Sequence, residues 1–338
     1  MAGLAAVART AAPAVTLGGR LRSGPGTASS GGRAAVPDAN LGTGRRIVSR
    51  LCNADPRLYQ LAVLGGLVVY GLGGLDFDIA VSQVVVIFAV ALGTQWGCSL
   101  ATGIRFDPRS ALISSCSLSL LLRTNAWSLA AVGAAAAIAS KFVFRLRGKH
   151  LFNPANFGIV LLLALTEGVW VSPGQWGNVA LFAFFLGCLG TLVVTRAARA
   201  DVTVAFLVAY VGLVVGRAWW VGDPMSIPVH RLQSGALLLF AFFMISDPKT
   251  TPDSRVARVF FAVAVACVAW YIAFRLFRNN GLMWALAAAT PMVPVLDRWL
   301  PGPRYEWSDG RAPLAAGRDG PGSAGTSEAQ APSTMGVR

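Results

Sequence analysis

The sequence predicts an all-α polytopic membrane protein of about ten transmembrane segments, arranged as a five-plus-five inverted repeat with short third and eighth segments. Three observations predict it. Of 338 residues, 55% are hydrophobic and only 13% are charged, with a mean hydropathy of +0.59, far too apolar for a soluble domain of this length. From Leu58 onward, apolar runs of helix length alternate with short polar or Gly/Pro breaks. Most of the 29 Lys and Arg residues fall in alternate breaks and in the two tails, the asymmetry that marks the cytoplasmic side of a membrane chain.

Residues 1–55 are rich in Ala, Gly, Ser and Arg, with no acidic residue before Asp38 and no hydrophobic periodicity. They read as a disordered basic cytoplasmic tail. The first membrane repeat, residues 56–175, holds apolar segments at about Leu58 to Leu75, Ile79 to Trp96, Ala111 to Leu122, Trp127 to Phe144 and Phe157 to Val171. The second, residues 176–300, holds Asn178 to Thr195, Val202 to Val221, Ser234 to Ser246, Val259 to Phe277 and Gly281 to Trp299. The fifth segment is interrupted by Glu167-Gly168 and the tenth by Pro291 and Pro294. Residues 301–338, rich in Pro, Gly, Ser and Ala, read as a second disordered cytoplasmic tail.

In each half the third segment has only 12 or 13 residues, about 20 Å of helix against a hydrocarbon core of about 30 Å. An odd number of crossings per half inverts the second half relative to the first. With the N-terminus inside, the inner gaps hold Arg105 and Arg109, then Arg145, Arg147 and Lys149, then Arg196 and Arg199, then Lys249, Arg255 and Arg258. The acidic Asp76 and Asp78 turn and the uncharged Ser172 to Gly177 turn then fall outside. This orientation puts both termini on the cytoplasmic side.

A formal charge of +14 raises nucleic acid as a partner, but no basic helix or aromatic-interleaved patch carries it, so no nucleic acid is expected. Five cysteines show no CxxC, and only His150 and His230 supply imidazole, so no metal site is expected. No phosphate-binding glycine loop, Ser-His-Asp arrangement or HExxH occurs.

Matched short, interrupted segments in two inverted halves point to a binding site. Two proline turns adjoin them: Asn153-Pro154-Ala155-Asn156 and Ser246-Asp247-Pro248-Lys249-Thr250. Asn153 with Pro154 suits a helix start without any ligand, and Asp247 suits a cap or an ion pair equally well. The functional reading makes Asn153, Pro154, Asn156, Asp247, Lys249 and Thr250 the frame of a site for a polar heterocycle or its phosphate. The chain has only three lysines, Lys141, Lys149 and Lys249, all in or beside these turns, which adds Lys141 and Lys149 as candidates. Ser114, Ser115, Ser117 and Ser119 on the third segment offer hydroxyls, or simply let helices pack closely. Glu167 and Arg217 near the outer boundary read as snorkelling charges.

Together the Ser140-Lys141 helix end, Asn153-Pro154-Ala155-Asn156-Phe157-Gly158 and Ile245-Ser246-Asp247-Pro248-Lys249-Thr250-Thr251-Pro252 resemble the membrane subunit family shared by RnfD of the Rnf electron-transport complex and NqrB of the sodium-translocating NADH:quinone oxidoreductase. The resemblance implies a flavin-bearing subunit of an electron-transfer complex rather than a stand-alone enzyme, with other membrane or cytoplasmic redox subunits and the lipid bilayer as partners. Family members carry FMN covalently on the Thr of a Ser/Thr-Gly-Ala-Thr motif. The nearest match here is Ser234-Gly235-Ala236-Leu237, with Leu in place of the acceptor, so the resemblance implies a non-covalent flavin, FMN or riboflavin, and no covalent FMN. The chain is similar in this to a short UnbU-like branch found in enediyne biosynthesis clusters. A small-solute permease or channel of the same fold, and a non-catalytic membrane anchor for a biosynthetic assembly, are the alternatives.

Overall fold

A computed structural model describes residues 55–73, 80–172 and 199–305. Within them the chain is largely helical. Helices α1 (Pro56–Gly73), α2 (Val81–Thr102), α3 (Pro108–Leu121), α4 (Trp127–Val143) and α5 (Pro154–Leu165) come first. Then follow α6 (Ala200–Val221), α7 (Ser226–Leu232), α8 (Gly235–Leu239), α9 (Arg255–Phe274), α10 (Gly281–Ala289) and α11 (Met292–Trp299).

By length and composition α2, α6 and α9 are each apolar enough to cross a membrane, and α7 with α8 form a bent pair that passes the same test together. These helices have one side on the protein core and one side apolar but exposed. Gln83, Ile87, Ala91, Gln95 and Ser99 of α2 are buried, whereas Val81, Val85, Trp96 and Leu100 are open. An apolar surface of this extent suits lipid rather than water. Among the described residues, the mostly helical fold with three strongly apolar helices is consistent with a polytopic membrane protein. The expected sixth segment, Asn178 to Thr195, lies outside the described residues.

The short third segment of the first half is α3. Asp107 starts it by accepting from the Arg109 amide, and Pro108 occupies the first turn. Here a missing N–H costs nothing. The expected eighth segment, Ser234 to Ser246, takes a broken form. α7 and the α8 stretch meet at 50°, and α8 widens into a π turn over Phe240–Met244. Sequence periodicity did not separate α7, because Ser226–Leu232 contains Pro228 and His230 and carries little apolar repeat.

Two expected crossings take a different form. The fifth stops as a helix at Leu165, and Thr166 turns extended. After Glu167-Gly168, strand β4 (Val169–Val171) pairs antiparallel with β1 (Leu122–Thr124), so the last apolar residues of that run become sheet. The tenth divides at Thr290-Pro291 into α10 and α11, because proline removes a donor and clashes with the preceding turn.

Between α4 and α5 lies a tight hairpin of β2 (Arg145–Leu146) and β3 (Lys149–His150). Its two turn residues, Arg147 and Gly148, both have positive φ, 50° and 76°, as a two-residue hairpin with the sheet's own twist requires. The helices flanking it cross closely. A Cβ on Gly158 of α5 would lie 2.5 Å from the Gly133 carbonyl oxygen of α4, so only glycine permits that approach. α5 in turn packs against α10, and α9 against α6 and α10, with Phe206, Phe240 and Phe261 buried in the core.

Candidate functional site

Three polar-Pro dipeptides, Asp107-Pro108, Asn153-Pro154 and Asp247-Pro248, converge on one cleft. Each sits where a helix starts or breaks, so each leaves backbone groups for side chains to satisfy. Asn153 is the N-cap of α5: its Oδ1 accepts from the Asn156 amide at 3.2 Å. Its Nδ2 reaches the other turn, donating to the Met244 carbonyl at 3.4 Å and to Asp247 Oδ2 at 3.5 Å. Asp247 holds its own turn, with Oδ1 accepting from the Lys249 amide at 3.0 Å and its carbonyl accepting from the Thr250 and Thr251 amides. Burial holds the Asp247 carboxyl above its ordinary value, against the opposing pull of the Lys249 amide and ammonium.

The cleft between the turns has a volume of about 210 Å³. One wall is α3, presenting Ser110, Ser114 and Ser117 at helical spacing; the opposite wall is Asn153, Pro154, Phe243 and Asp247. Arg57, Lys249 and His150 complete the lining. Ser114 Oγ donates to the Ser110 carbonyl at 3.0 Å, so its oxygen keeps lone pairs for a ligand.

Arg57 is bound on both sides, to Asp55 at 2.8 Å and Asp107 at 2.5 Å, and Arg109 reaches Asp55 at 2.9 Å. This quartet joins the start of α1 to the start of α3. Burial raises the Asp55 carboxyl, but the hydrogen bonds of Arg57 and Arg109 outweigh it and hold the group below its ordinary value. His150 Nδ1 lies 3.2 Å from the Lys141 carbonyl; a carbonyl only accepts, so Nδ1 carries the proton. Burial, then the charges of Lys141 and Arg145, push this imidazole down to about 4.

Of the expected residues, Asn153, Pro154, Asp247 and Lys249 line the cleft together. Asn156 stands behind them, 1% exposed, with Nδ2 donating to the Met283 carbonyl at 3.2 Å and, among the described residues, Oδ1 without a hydrogen-bond partner. Thr250 is buried in the turn, its hydroxyl donating to the Asp247 carbonyl at 3.3 Å. Lys141 is 3% exposed and donates to Ser110 Oγ at 3.1 Å. Lys149 faces a neighbouring cavity of about 140 Å³, where Asp253 and Asp297 each hold its ammonium at 2.7 Å and the Thr251 carbonyl accepts at 3.1 Å. Ser114 and Ser117 belong to the cleft, whereas Ser115 bonds the Ala111 carbonyl and is fully buried.

Sequence reasoning missed Arg57, Gln60, Ser110, Asp107, His150 and Phe243. A signal for Asp107 was present: Asp107-Pro108 repeats the pattern of the other two turns at the start of a short segment.

Residues 164–305 match the model of the NQR2, RnfD, RnfE family. That range includes the Asp247 turn and begins after the Asn153 turn. Among curated relatives, the D subunit of the ion-translocating oxidoreductase complex of Cronobacter sakazakii is 31% identical over 155 residues, 44% of this chain and 41% of the relative. The same-named protein of Klebsiella pneumoniae is 32% identical over 141 residues, 41% of this chain and 39% of the relative. That of Halorhodospira halophila is 32% identical over 93 residues, 28% and 26% of the two chains. The chain thus spans about two fifths or less of the length of these relatives, and the family match itself covers residues 164–305.

Proposed function

We propose that this chain is a bacterial inner-membrane subunit of an ion-translocating oxidoreductase complex, relaying electrons between partner redox subunits through a flavin held non-covalently between the Asn153 and Asp247 turns. The observation that carries the reading is the bond from Asn153 Nδ2 to Asp247 Oδ2, which makes two turns 94 positions apart the two edges of one polar cleft.

The donor set suits a flat heterocycle with alternating donors and acceptors. Asn153 contributes an amide, Ser110, Ser114 and Ser117 contribute hydroxyl oxygens, and Phe243 contributes an apolar wall. When bound, the flavin supplies the capacity to take up and pass on electrons. The chain's own residues bind and orient it. Asp247 presents a carboxyl that burial holds above its ordinary value. At the position where covalent relatives need a hydroxyl, Leu237 is buried in the core, which supports non-covalent retention. A volume of about 210 Å³ lies between the roughly 150 Å³ that holds benzene and the roughly 300 Å³ and more of whole-ligand clefts. The cleft would therefore hold part of the ring system. Both termini on the cytoplasmic side complete the reading.

Purified protein should carry the visible flavin absorption bands through gel filtration and release them on acid precipitation. Colourless protein that takes up neither FMN nor riboflavin overturns the proposal. The 50° break between α7 and α8 favours a second reading, a small-solute permease, since broken helices line transport sites. Solute uptake into proteoliposomes that is lost in Asn153→Ala would select it.

A further inference from the structure

At the end of the molecule away from the cleft, two guanidinium groups share one aromatic ring. Arg217 of α6 lies 4.6 Å from the centroid of Phe274, and Arg231 of α7 lies 4.7 Å from the same centroid. Arg275 follows Phe274 directly, and Arg278 closes the turn with its amide donating to the Ile272 carbonyl at 3.1 Å. Four cations therefore gather where α6, α7 and α9 end. Among the described residues the one ion pair that any of them forms is Arg217 with Asp223, at 2.6 Å. Arg231, Arg275 and Arg278 are exposed. Like charges collected on one ring repel, and the ring's own attraction offsets that only in part.

This rim lies one helix length from the cleft. Arg258 in the first turn of α9 binds Asp201 in the first turn of α6 at 2.6 Å, while Arg217 near the end of α6 sits on Phe274 at the end of α9. The two helices thus run side by side in the same direction. About 24 Å of helix separates the two contacts, most of a hydrocarbon core of about 30 Å. The Asp247 turn leads into the start of α9, so cleft and rim belong to opposite membrane surfaces. With both termini cytoplasmic, as proposed above, the rim is outside, where topology gives arginine no role.

The rim also projects apolar side chains. Phe277 has a φ of 51° and is 82% exposed, with Leu276 beside it 52% exposed. A left-handed residue that ends a helix is ordinarily glycine, and a bulky side chain there is strained. Such strain persists where the side chain has a use. Trp219 and Trp220, on the last turn of α6 beside Arg217, are also open, as members of an interfacial belt are. Cations next to projecting aromatics match a surface that is anionic outside and apolar just beneath, which is phospholipid. An acidic protein surface would satisfy the arginines but leave Phe277 without an apolar partner.

We infer that Arg231, Arg275 and Arg278, with Arg217 fixed by Asp223, bind the phosphate of an anionic phospholipid, and that Phe277 anchors the site in the acyl region. This rests on the chain being embedded in a membrane and not on the flavin reading.

Full-length protein in neutral detergent, mixed with phosphatidylglycerol or phosphatidylcholine and read by native mass spectrometry, tests it. Phosphatidylglycerol should be held about tenfold more tightly, the worth of one charge-assisted hydrogen bond. Arg231→Gln with Arg278→Gln should abolish the difference, whereas Arg145→Gln with Arg147→Gln, on the opposite surface, should leave it. Phe277→Gly should raise the thermal midpoint without lipid, because it relieves the left-handed turn, yet weaken retention of phosphatidylglycerol several-fold. Equal retention of the two lipids, a preference that survives loss of Arg231 and Arg278, an equal loss in the opposite-surface variant, or retention indifferent to Phe277→Gly overturns the inference. Competitors separate the sources. Displacement of the lipid by equimolar glycerol 3-phosphate or inorganic phosphate assigns the rim to a free phosphate, displacement by equimolar polyglutamate assigns it to an acidic protein, and either result overturns the inference. Flavin absorption of the same preparations reads the earlier proposal separately.

Discussion

Lys149 and Asp297 are 148 positions apart in the chain and meet at 2.7 Å, with Asp253 on the same ammonium at 2.7 Å. All three side chains are at most 15% exposed, and Asp297 also accepts from the Asp253 amide at 2.7 Å. One cation therefore ties the hairpin to the turn before α9 and to α11. Removing it strands two largely covered carboxylates. Lys149→Met should cost about 3 kcal/mol of stability, read as a lower thermal midpoint in detergent. Pairing it with Asp297→Asn should recover part of the loss.

His150 sets a pH dependence. Its folded pKa of about 4 lies below the ordinary 6.5, so between those values the unfolded chain binds the proton and the folded chain does not. Stability from this residue should therefore rise with pH from about 4 to 6.5 and be level on either side. His150→Gln should flatten the stability profile over that window.

At the crossing of α4 and α5, Gly158→Ala places a methyl group 2.5 Å from the Gly133 carbonyl oxygen and 2.9 Å from Ala137 Cβ. A backbone oxygen cannot rotate away, so the helices must separate. A loss of about 1 to 3 kcal/mol is expected in a denaturant titration, and a displaced α5 should weaken ligand retention as well.

Asn153 has two separable duties. Asn153→Ala removes the cap and should cost about 1 kcal/mol. Asn153→Asp keeps an oxygen for the Asn156 amide but sets a second carboxyl where 3.5 Å now separates Nδ2 from Asp247 Oδ2. At neutral pH the aspartate variant should be the less stable of the two, and acidification should restore it. Thermal midpoints at both pH values distinguish cap from bridge.

Much of this was legible in the sequence where local chemistry decides the outcome. Asn153-Pro154 announces a helix start, the apolar runs announce α2, α6 and α9, and the shared Pro pattern singles out two turns that the fold brings into contact. The fifth and tenth runs were harder. Their apolar content is real, but Thr166 and Pro291 each deny the helix a continuing hydrogen-bond ladder, and hydropathy does not register that. The lysines show the limit most plainly. Their position near the turns was visible, but the partners that lock Lys149, Asp253 and Asp297, lie more than 100 positions downstream, and no local pattern distinguishes it from Lys249.

His150 borders both the cleft and the neighbouring cavity, and the residue beside it is the one clamped by Asp253 and Asp297. Anything that wedges the cleft wider by pushing on the imidazole must strain those clamps. The wall between the two cavities and the anchor of the hairpin are thus neighbouring residues, so a load on one is carried by the ion pairs of the other.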